Sequence, residues 1–211
     1  MLPFFGLLSA TDSGTTFAAM QISPELRLIL ASKSPRRSYL LEQAGIPFEI
    51  RTADVEEIYP DDLDPLRIAP YLAELKADNA RGLLQDDREV LLTADSVVLI
   101  DGVKHGKPRD RDHAIETLTK LSGRSHTVVT GCCLLSRAKK EVFSSVAEVH
   151  LRDMTGEEIA WYVDTYEPYD KAGAYAIQEW VGLAKIHRID GTYPCIMGLP
   201  VDMVYERLVG W

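Results

Sequence analysis

The chain has 211 residues, of which 46% are hydrophobic, and this is enough for one sizeable α/β domain with a buried core. Its formal net charge of -9 argues against a protein that binds nucleic acid through a basic face. A small basic pocket for a single polyanion remains compatible with that charge. No apolar stretch is long enough to span a bilayer, so we expect a cytoplasmic protein without a membrane partner.

The predicted elements begin after an N-terminal extension. Residues 1–25 are apolar at first and then loop-like, and we expect them to lie outside a single domain that covers residues 26–211. A short apolar run at residues 26–31 predicts a buried strand. Ser34 then suits the N-cap of a helix, and Pro35 suits its first turn.

Further along the chain, strands and helices alternate irregularly. Short apolar runs between turn residues predict strands, and apolar residues at helical spacing predict helices. The irregular order predicts a mixed β-sheet flanked by helices, in the α/β class. The remaining predicted strands lie at 48–52, 89–100, 125–136, 141–153 and 184–191, and the remaining predicted helices lie at 68–84, 111–123, 155–166 and 198–208.

Two serines and two arginines lie where the first strand gives way to the first helix, in the stretch "ASKSPRR". The start of a helix exposes unpaired N–H groups and a partial positive charge, which favour phosphate. Ser32 and Ser34 add hydroxyl groups, and Arg36 and Arg37 add forked donors that match phosphate oxygens. By itself, the stretch is better explained by a capped helix with two solvated arginines.

Asp95 lies inside the most apolar predicted strand, in "LLTADSVVLI". A buried carboxylate costs on the order of several kcal/mol unless it is paired, protonated or bound to metal. An aspartate at a strand end or bulge is the simpler alternative. Together with Glu57, Lys76 and Lys107, however, Asp95 indicates a site in which carboxylates hold Mg²⁺ and activate water near a phosphate. This combination predicts hydrolysis of a phosphoanhydride.

Five stretches, in order, resemble the motifs of the Maf family of nucleoside triphosphate pyrophosphatases, once described as septum-formation inhibitors. They are "ASKSPRRSYLLEQAG", "TADSVV", "GKPRDRDHAIETLTKLSGRSHTVVTG", "DKAGAYAIQ" and "GLPVDMVYERL". The resemblance implies an inosine-triphosphatase-like fold, with a mixed sheet and a deep cleft between two lobes. It also implies cleavage between the α and β phosphates, giving a nucleoside monophosphate and pyrophosphate, with a divalent cation that is Mg²⁺ or Mn²⁺.

The resemblance implies a role for each position that matches a family motif. The aspartate of the family's "ADT" motif is the proton acceptor, and Asp95 occupies its place. The full implied set is the catalytic residues Asp95, Lys76 and Lys107, the phosphate-binding residues Ser34, Arg36 and Arg37, and the metal ligands Glu57 and Asp95.

Three positions resemble the branch of the family that acts on dTTP and UTP, namely Arg36, Ser96 and Gln178. The branch that acts on 7-methyl-GTP carries tryptophan in place of that arginine. Two departures bear on base preference. Ser96 stands where the branch has threonine, and Glu179 and Trp180 follow Gln178 where the family has glycine. We therefore expect a member of the dTTP/UTP branch in which Ser96, Glu179 and Trp180 alter the contacts to the base.

The resemblance also leaves an alternative to catalysis. The older description of the family would make this chain a nucleotide-binding regulator of cell division that acts through a partner. Family members are often dimers, so we expect a homodimer with a nucleoside triphosphate as its small-molecule substrate. A single-strand nucleic-acid binder is disfavoured, because the chain is acidic and lacks a stripe of basic and aromatic residues.

Overall fold

A seven-stranded mixed β-sheet forms the centre of the computed structural model, which describes residues 21–211. The strand order is β2-β1-β3-β5-β6-β7, with β4 paired to β3. The β1 strand is parallel to β2 and β3, and every other pairing is antiparallel. The strands are β1 (Arg27–Leu30), β2 (Phe48–Ile50), β3 (Glu89–Ile100), β4 (Val103–His105), β5 (Ser125–Leu135), β6 (Lys140–Leu151) and β7 (Ile186–Asp190).

Six α-helices flank this sheet within the described part of the chain. They are α1 (Pro35–Gln43), α2 (Pro65–Ala80), α3 (Arg111–Leu121), α4 (Gly156–Tyr166), α5 (Tyr193–Met197) and α6 (Val201–Val209). Among residues 21–211, no helix combines the length and apolar character needed to cross a bilayer. The predicted mixed sheet flanked by helices is therefore confirmed.

Two of the described strands and α-helices escape prediction, because each is too short to show a period. The β4 strand has three residues, and it folds back onto β3 through Asp101 and Gly102. Both residues have positive φ, at 52° and 76°, as a tight hairpin turn requires. The α5 helix has five residues, and the side chain of Thr192, its N-cap, accepts from the Cys195 amide.

The core is divided between the two ends of the long β3 strand. Leu92 of β3 packs with Leu41 of α1 in one hydrophobic cluster, whereas Ile100 of β3 packs with Leu118 of α3 and Ile159 of α4 in another. The strand therefore passes from one lobe into the other. This arrangement places the middle of β3 where a cleft between lobes would open.

The predicted N-terminal extension falls mostly outside the described residues. Of its 25 positions, residues 21–25 are described, and Ile22 is 6% exposed and packs in the cluster that contains Leu41. Residues 1–20 lie outside the described part of the chain. The domain boundary at residue 26 remains a prediction.

A buried histidine makes the stability of the fold depend on pH. His126 of β5 is 3% exposed, and its Nε2 lies 2.8 Å from the Tyr175 hydroxyl oxygen. Burial, with a smaller contribution from the charge of His150, lowers the pKa of His126 from 6.5 to about 4. Between those values the unfolded chain binds more protons than the folded chain. We therefore expect the free energy of unfolding to fall as pH drops from 6.5, with a loss of about 3 kcal/mol by pH 4.

Urea unfolding of the wild type and His126→Gln at several pH values between 7 and 4.5 tests this expectation. Glutamine does not titrate, so the free energy of unfolding of His126→Gln should depend less steeply on pH than that of the wild type. His187→Gln is the matched control, because His187 is an exposed histidine on β7. Equal pH dependence in the wild type and His126→Gln would show that His126 does not control this loss.

Candidate active site

A cavity of about 690 Å³ opens beside the middle of β3. Its walls come from the segment after β1, the start of α1, the acidic loop before α2, the β4 hairpin and the segment after α4. All nine residues predicted for the site line it: Ser34, Arg36, Arg37, Glu57, Lys76, Asp95, Ser96, Lys107 and Gln178. The structure thus brings together groups that are up to 144 positions apart in the chain, from Ser34 to Gln178.

Asp95 lines the cavity and is only 8% exposed. It belongs to the regular part of β3, opposite Gly131 of β5, so the alternative of an aspartate at a strand end or bulge is wrong. The Lys76 Nζ atom of α2 lies 2.6 Å from Asp95 Oδ1 and 2.7 Å from Glu57 Oε1. One ammonium group therefore joins the two carboxylates that the sequence predicts as metal ligands.

The two carboxylates differ in basicity because they differ in burial. Burial raises the pKa of the Asp95 carboxyl above 3.8, although the charge and hydrogen bond of Lys76 oppose this effect. Burial also acts to raise the pKa of Glu57, but the hydrogen bond and charge of Lys76, aided by Lys107 and Lys104, outweigh it and hold that pKa below 4.5. Asp95 is consequently the better proton acceptor of the pair, and Glu57 is the more firmly ionised.

The two arginines at the start of α1 are held in different ways. Arg37 donates from Nη1 to Ser32 Oγ at 3.1 Å and from Nε to the Gly198 carbonyl at 2.9 Å. Burial lowers the pKa of Arg37, and the neighbouring Asp95 carboxylate opposes this change. Arg36 instead donates from Nη1 to Asp170 Oδ2 at 3.0 Å, across the cavity. Contacts within the protein therefore orient both guanidinium groups.

Ser34 occupies the predicted N-cap position of α1, but its side chain makes no capping hydrogen bond. Instead, its own backbone amide donates to Ser32 Oγ at 3.2 Å. The position predicted from the sequence is confirmed, whereas the expected capping by the hydroxyl is wrong. Ser34 lines the cavity beside Pro35, at the N-terminus of α1, where the helix dipole favours an anion.

Besides charged groups, the cavity lining includes neutral hydrogen-bonding groups, which belong to Ser96 and Gln178. The Ser96 and Thr130 hydroxyl oxygens are 2.8 Å apart, and Thr130 donates to the Cys195 carbonyl at 2.8 Å. Because Thr130 gives its proton to that carbonyl, Ser96 must donate to Thr130, which leaves the Ser96 oxygen as an acceptor. Among the described residues, the buried Gln178 Oε1 atom has no hydrogen-bond partner. Both atoms suit the N–H groups of a base.

Several groups on the cavity wall were not predicted from the sequence. Lys33 Nζ lies 2.6 Å from Asp54 Oδ1, and Lys104 Nζ lies 4.4 Å above the centre of the Tyr59 ring. Lys33 stands within the same "SKSPRR" stretch as the predicted serines and arginines, so a count of cations there would have found it. Lys104 had no such signal, because it enters the site through the unpredicted β4 hairpin.

The donor set on the cavity wall fits a hard divalent cation. Glu57 and Asp95 both line the cavity and supply carboxylate oxygens, the ligands that such a cation prefers. A second cluster of potential ligands, on β6 and β7, comprises Glu148, His150 and Asp190, whose donor atoms lie within 4.8 Å of one another. That cluster is absent from the cavity lining, which holds the groups suited to phosphate. The cavity is therefore the better candidate for a metal.

Comparison with known proteins decides the family. A family model described as "Maf-like protein" matches residues 27–210, which is most of the chain. The chain belongs to the Maf family. The family resemblance predicted from the five motifs is thus confirmed, and the matched range contains every residue predicted for the site.

Relatives of this Maf protein carry a more specific name. A dTTP/UTP pyrophosphatase of Porphyromonas gingivalis is 44% identical over 185 residues, covering 86% of this chain and 92% of the relative. A dTTP/UTP pyrophosphatase of Phocaeicola vulgatus is 45% identical over 183 residues, covering 86% and 94%. The Ham1 protein of Staphylococcus aureus shares the fold with a TM-score of 0.53 at 15% identity, covering 87% and 98%. The expected inosine-triphosphatase-like fold is confirmed.

Proposed function

We propose that this Maf protein hydrolyses dTTP and UTP to the nucleoside monophosphate and pyrophosphate. The observation that carries the proposal is the position of a buried carboxylate, Asp95, in a cavity whose wall also holds Arg36, Arg37 and Lys76. A proton acceptor beside a cluster of cations suits attack of water on a phosphate. The relatives named dTTP/UTP pyrophosphatase support the choice of substrate.

The triphosphate would bind against the basic wall of the cavity. There, the start of α1 and its guanidinium groups offer N–H donors, and the lysines offer positive charge. Much of the rate gain would come from holding the phosphates in place and neutralising the charge that develops, as in other phosphoryl transfers. The residues proposed to bind phosphate are Ser34, Arg36, Arg37, Lys76 and Lys107.

Asp95 would act as the general base. A water oxygen forms a bond to the α phosphorus, the bond from that phosphorus to the α–β bridging oxygen breaks, and pyrophosphate leaves with the electron pair. The proton released by water goes to the Asp95 carboxylate. The raised pKa of Asp95 increases its basicity, and the charge and hydrogen bond of Lys76 oppose that rise.

Glu57 and Asp95 are the residues that would hold Mg²⁺ or Mn²⁺, since both present carboxylate oxygens to the cavity. When bound, the cation would neutralise charge on the phosphates and on the departing pyrophosphate. Ser96 and Gln178 would read the pyrimidine edge, where an acceptor oxygen suits the single N3–H group of thymine or uracil and the Gln178 amide N–H groups suit a base carbonyl. A buried site that bonds a base edge rejects analogues that leave such groups unpaired.

A substrate screen tests the reaction and the branch together. The purified protein with Mg²⁺ would be incubated with dTTP, UTP, CTP, GTP, 7-methyl-GTP and ITP, and pyrophosphate, monophosphate and orthophosphate would be measured separately. We expect pyrophosphate, released fastest from dTTP or UTP. Release led by 7-methyl-GTP would move the protein to the other branch. Tight binding of triphosphates without turnover would favour the alternative, a nucleotide-binding regulator of cell division.

A homodimer, a cytoplasmic location and a domain that starts at residue 26 remain predictions. The homodimer can be tested directly by sedimentation velocity. We expect a mass about twice the 23.6 kDa of the chain. A species of 23.6 kDa at micromolar concentration would contradict the prediction.

A further inference from the structure

Glu179 directly follows Gln178, and its side chain is tied to the protein interior. One oxygen of its carboxylate accepts a hydrogen bond from the Tyr162 hydroxyl, and the other oxygen lies 3.4 Å from Lys171 Nζ. Tyr162 of α4 is fully buried, and its hydroxyl oxygen also accepts from the Ala176 amide at 3.3 Å. The segment that carries Gln178 is therefore anchored to α4 beneath it.

The contacts of Lys171 continue across the cavity. Its Nζ atom lies 2.6 Å from Asp170 Oδ1, and Asp170 Oδ2 accepts from Arg36 Nη1 at 3.0 Å. The charged groups alternate in sign along this path, from Glu179 through Lys171 and Asp170 to Arg36. Glu179, at one end, directly follows Gln178, which is proposed to read the base. Arg36, at the other end, is proposed to bind phosphate.

The backbone around Glu179 leaves little room for adjustment. A Cβ atom added at Gly182 would lie 1.9 Å from the Ile177 carbonyl oxygen, so the chain closes tightly on itself between these residues. Burial raises the pKa of Tyr162, and its hydrogen bond to Glu179 raises it further, so the hydroxyl keeps its proton at neutral pH. Side chains on a close-packed segment of this kind hold the positions of their neighbours.

We propose that Glu179 is a positioning residue, which holds Gln178 in register with Arg36 through Tyr162, Lys171 and Asp170. This inference rests on the proposed function, because it concerns how the base and phosphate ends of one nucleotide are held at a fixed separation. Glu179 itself need not touch the substrate. Its effect should therefore appear as discrimination between bases.

The variant Glu179→Gln isolates the charge. Its amide oxygen can still accept from Tyr162, but it no longer attracts Lys171. We expect the ratio of kcat/KM for dTTP to that for CTP to fall about tenfold, as expected for loss of a hydrogen bond to a charged group. Lys171→Gln should lower the ratio by a similar factor. The double variant should lose little more than either single variant, because both break the same contact.

Glu158→Gln is the matched control. Glu158 also binds a lysine, Lys185, at 2.6 Å, but neither residue lines the cavity. We expect this variant to keep the wild-type ratio. Thermal unfolding of all variants would separate loss of stability from loss of discrimination.

Three outcomes decide the inference. A tenfold lower ratio in Glu179→Gln and Lys171→Gln, with Glu158→Gln unchanged, supports it. An unchanged ratio in Glu179→Gln or Lys171→Gln, while the wild type releases pyrophosphate from dTTP, overturns the role of Glu179 and leaves the proposed function intact. A wild type that hydrolyses none of the nucleotides defeats the proposed function and this inference together. If Glu179→Gln fails to fold, Lys171→Gln decides.

Discussion

Replacement of Asp95 by asparagine is expected to lower kcat for dTTP about a thousandfold while the protein remains folded. The amide has nearly the shape of the carboxylate but cannot accept the proton released by water. Burial raises the pKa of Asp95, so the stability that this carboxyl contributes is present at low pH and is lost as pH rises through that pKa. Asparagine carries no charge, and Lys76 keeps Glu57 as its partner. The midpoint of thermal unfolding should therefore change little.

The pH profile provides a second measure of the same residue. Asp95 acts only when ionised, so kcat/KM should fall as pH drops through its raised pKa, with a midpoint above 3.8. The control is Asp164→Asn, which breaks an exposed ion pair with Arg111 outside the cavity. That variant should keep both turnover and pH profile. Near-normal turnover in folded Asp95→Asn would contradict the role assigned to Asp95.

Replacement of Gly131 by alanine is expected to destabilise the fold by about 3 kcal/mol and to lower activity as well. A Cβ atom at this position would lie 2.2 Å from the Pro70 nitrogen and 2.3 Å from the Ala69 carbonyl carbon, both in α2. Backbone atoms cannot rotate away, so α2 must shift. Because α2 also carries Lys76, and Asp95 lies opposite Gly131 in the sheet, the shift should weaken the contact between them.

Gly82→Ala is the control for this substitution. Gly82 lies in the 3-10 turn that follows α2, and a Cβ atom there would meet nothing within 4 Å. We expect its free energy of unfolding, measured in urea, to change by no more than about 0.5 kcal/mol. If Gly131→Ala were as stable and as active as Gly82→Ala, the close approach of α2 to β5 would not be what positions Lys76.

Local patterns in the sequence predict much of this fold. The apolar run around Asp95 predicts β3 with the bounds that are observed, because a buried strand needs apolar residues on both faces. Pro35 likewise predicts the start of α1, which places Arg36 and Arg37 in the first turn of the helix. These signals work because they depend on neighbours in the chain.

Other parts of the site depend on contacts between distant residues, and the sequence carries no signal for them. Thr130 orients Ser96 only because β5 pairs with β3 in a register that places the two side by side. Asp170 meets Arg36 across 134 positions of the chain. Lys104 lies on β4, which lines up with β3 to form a hairpin next to the cavity. The β4 strand has only three residues, too few for a period to be detected. Such pairings arise from tertiary packing.

Attack of water on the α phosphorus is the central claim, and isotope labelling tests it most directly. The wild-type protein would hydrolyse dTTP in water enriched in ¹⁸O, and the mass of each product would be measured. We expect the label in dTMP and unlabelled pyrophosphate, because the water oxygen bonds to the α phosphorus. Label in pyrophosphate, or in orthophosphate released with dTDP, would show that a different phosphorus is attacked and would contradict the mechanism.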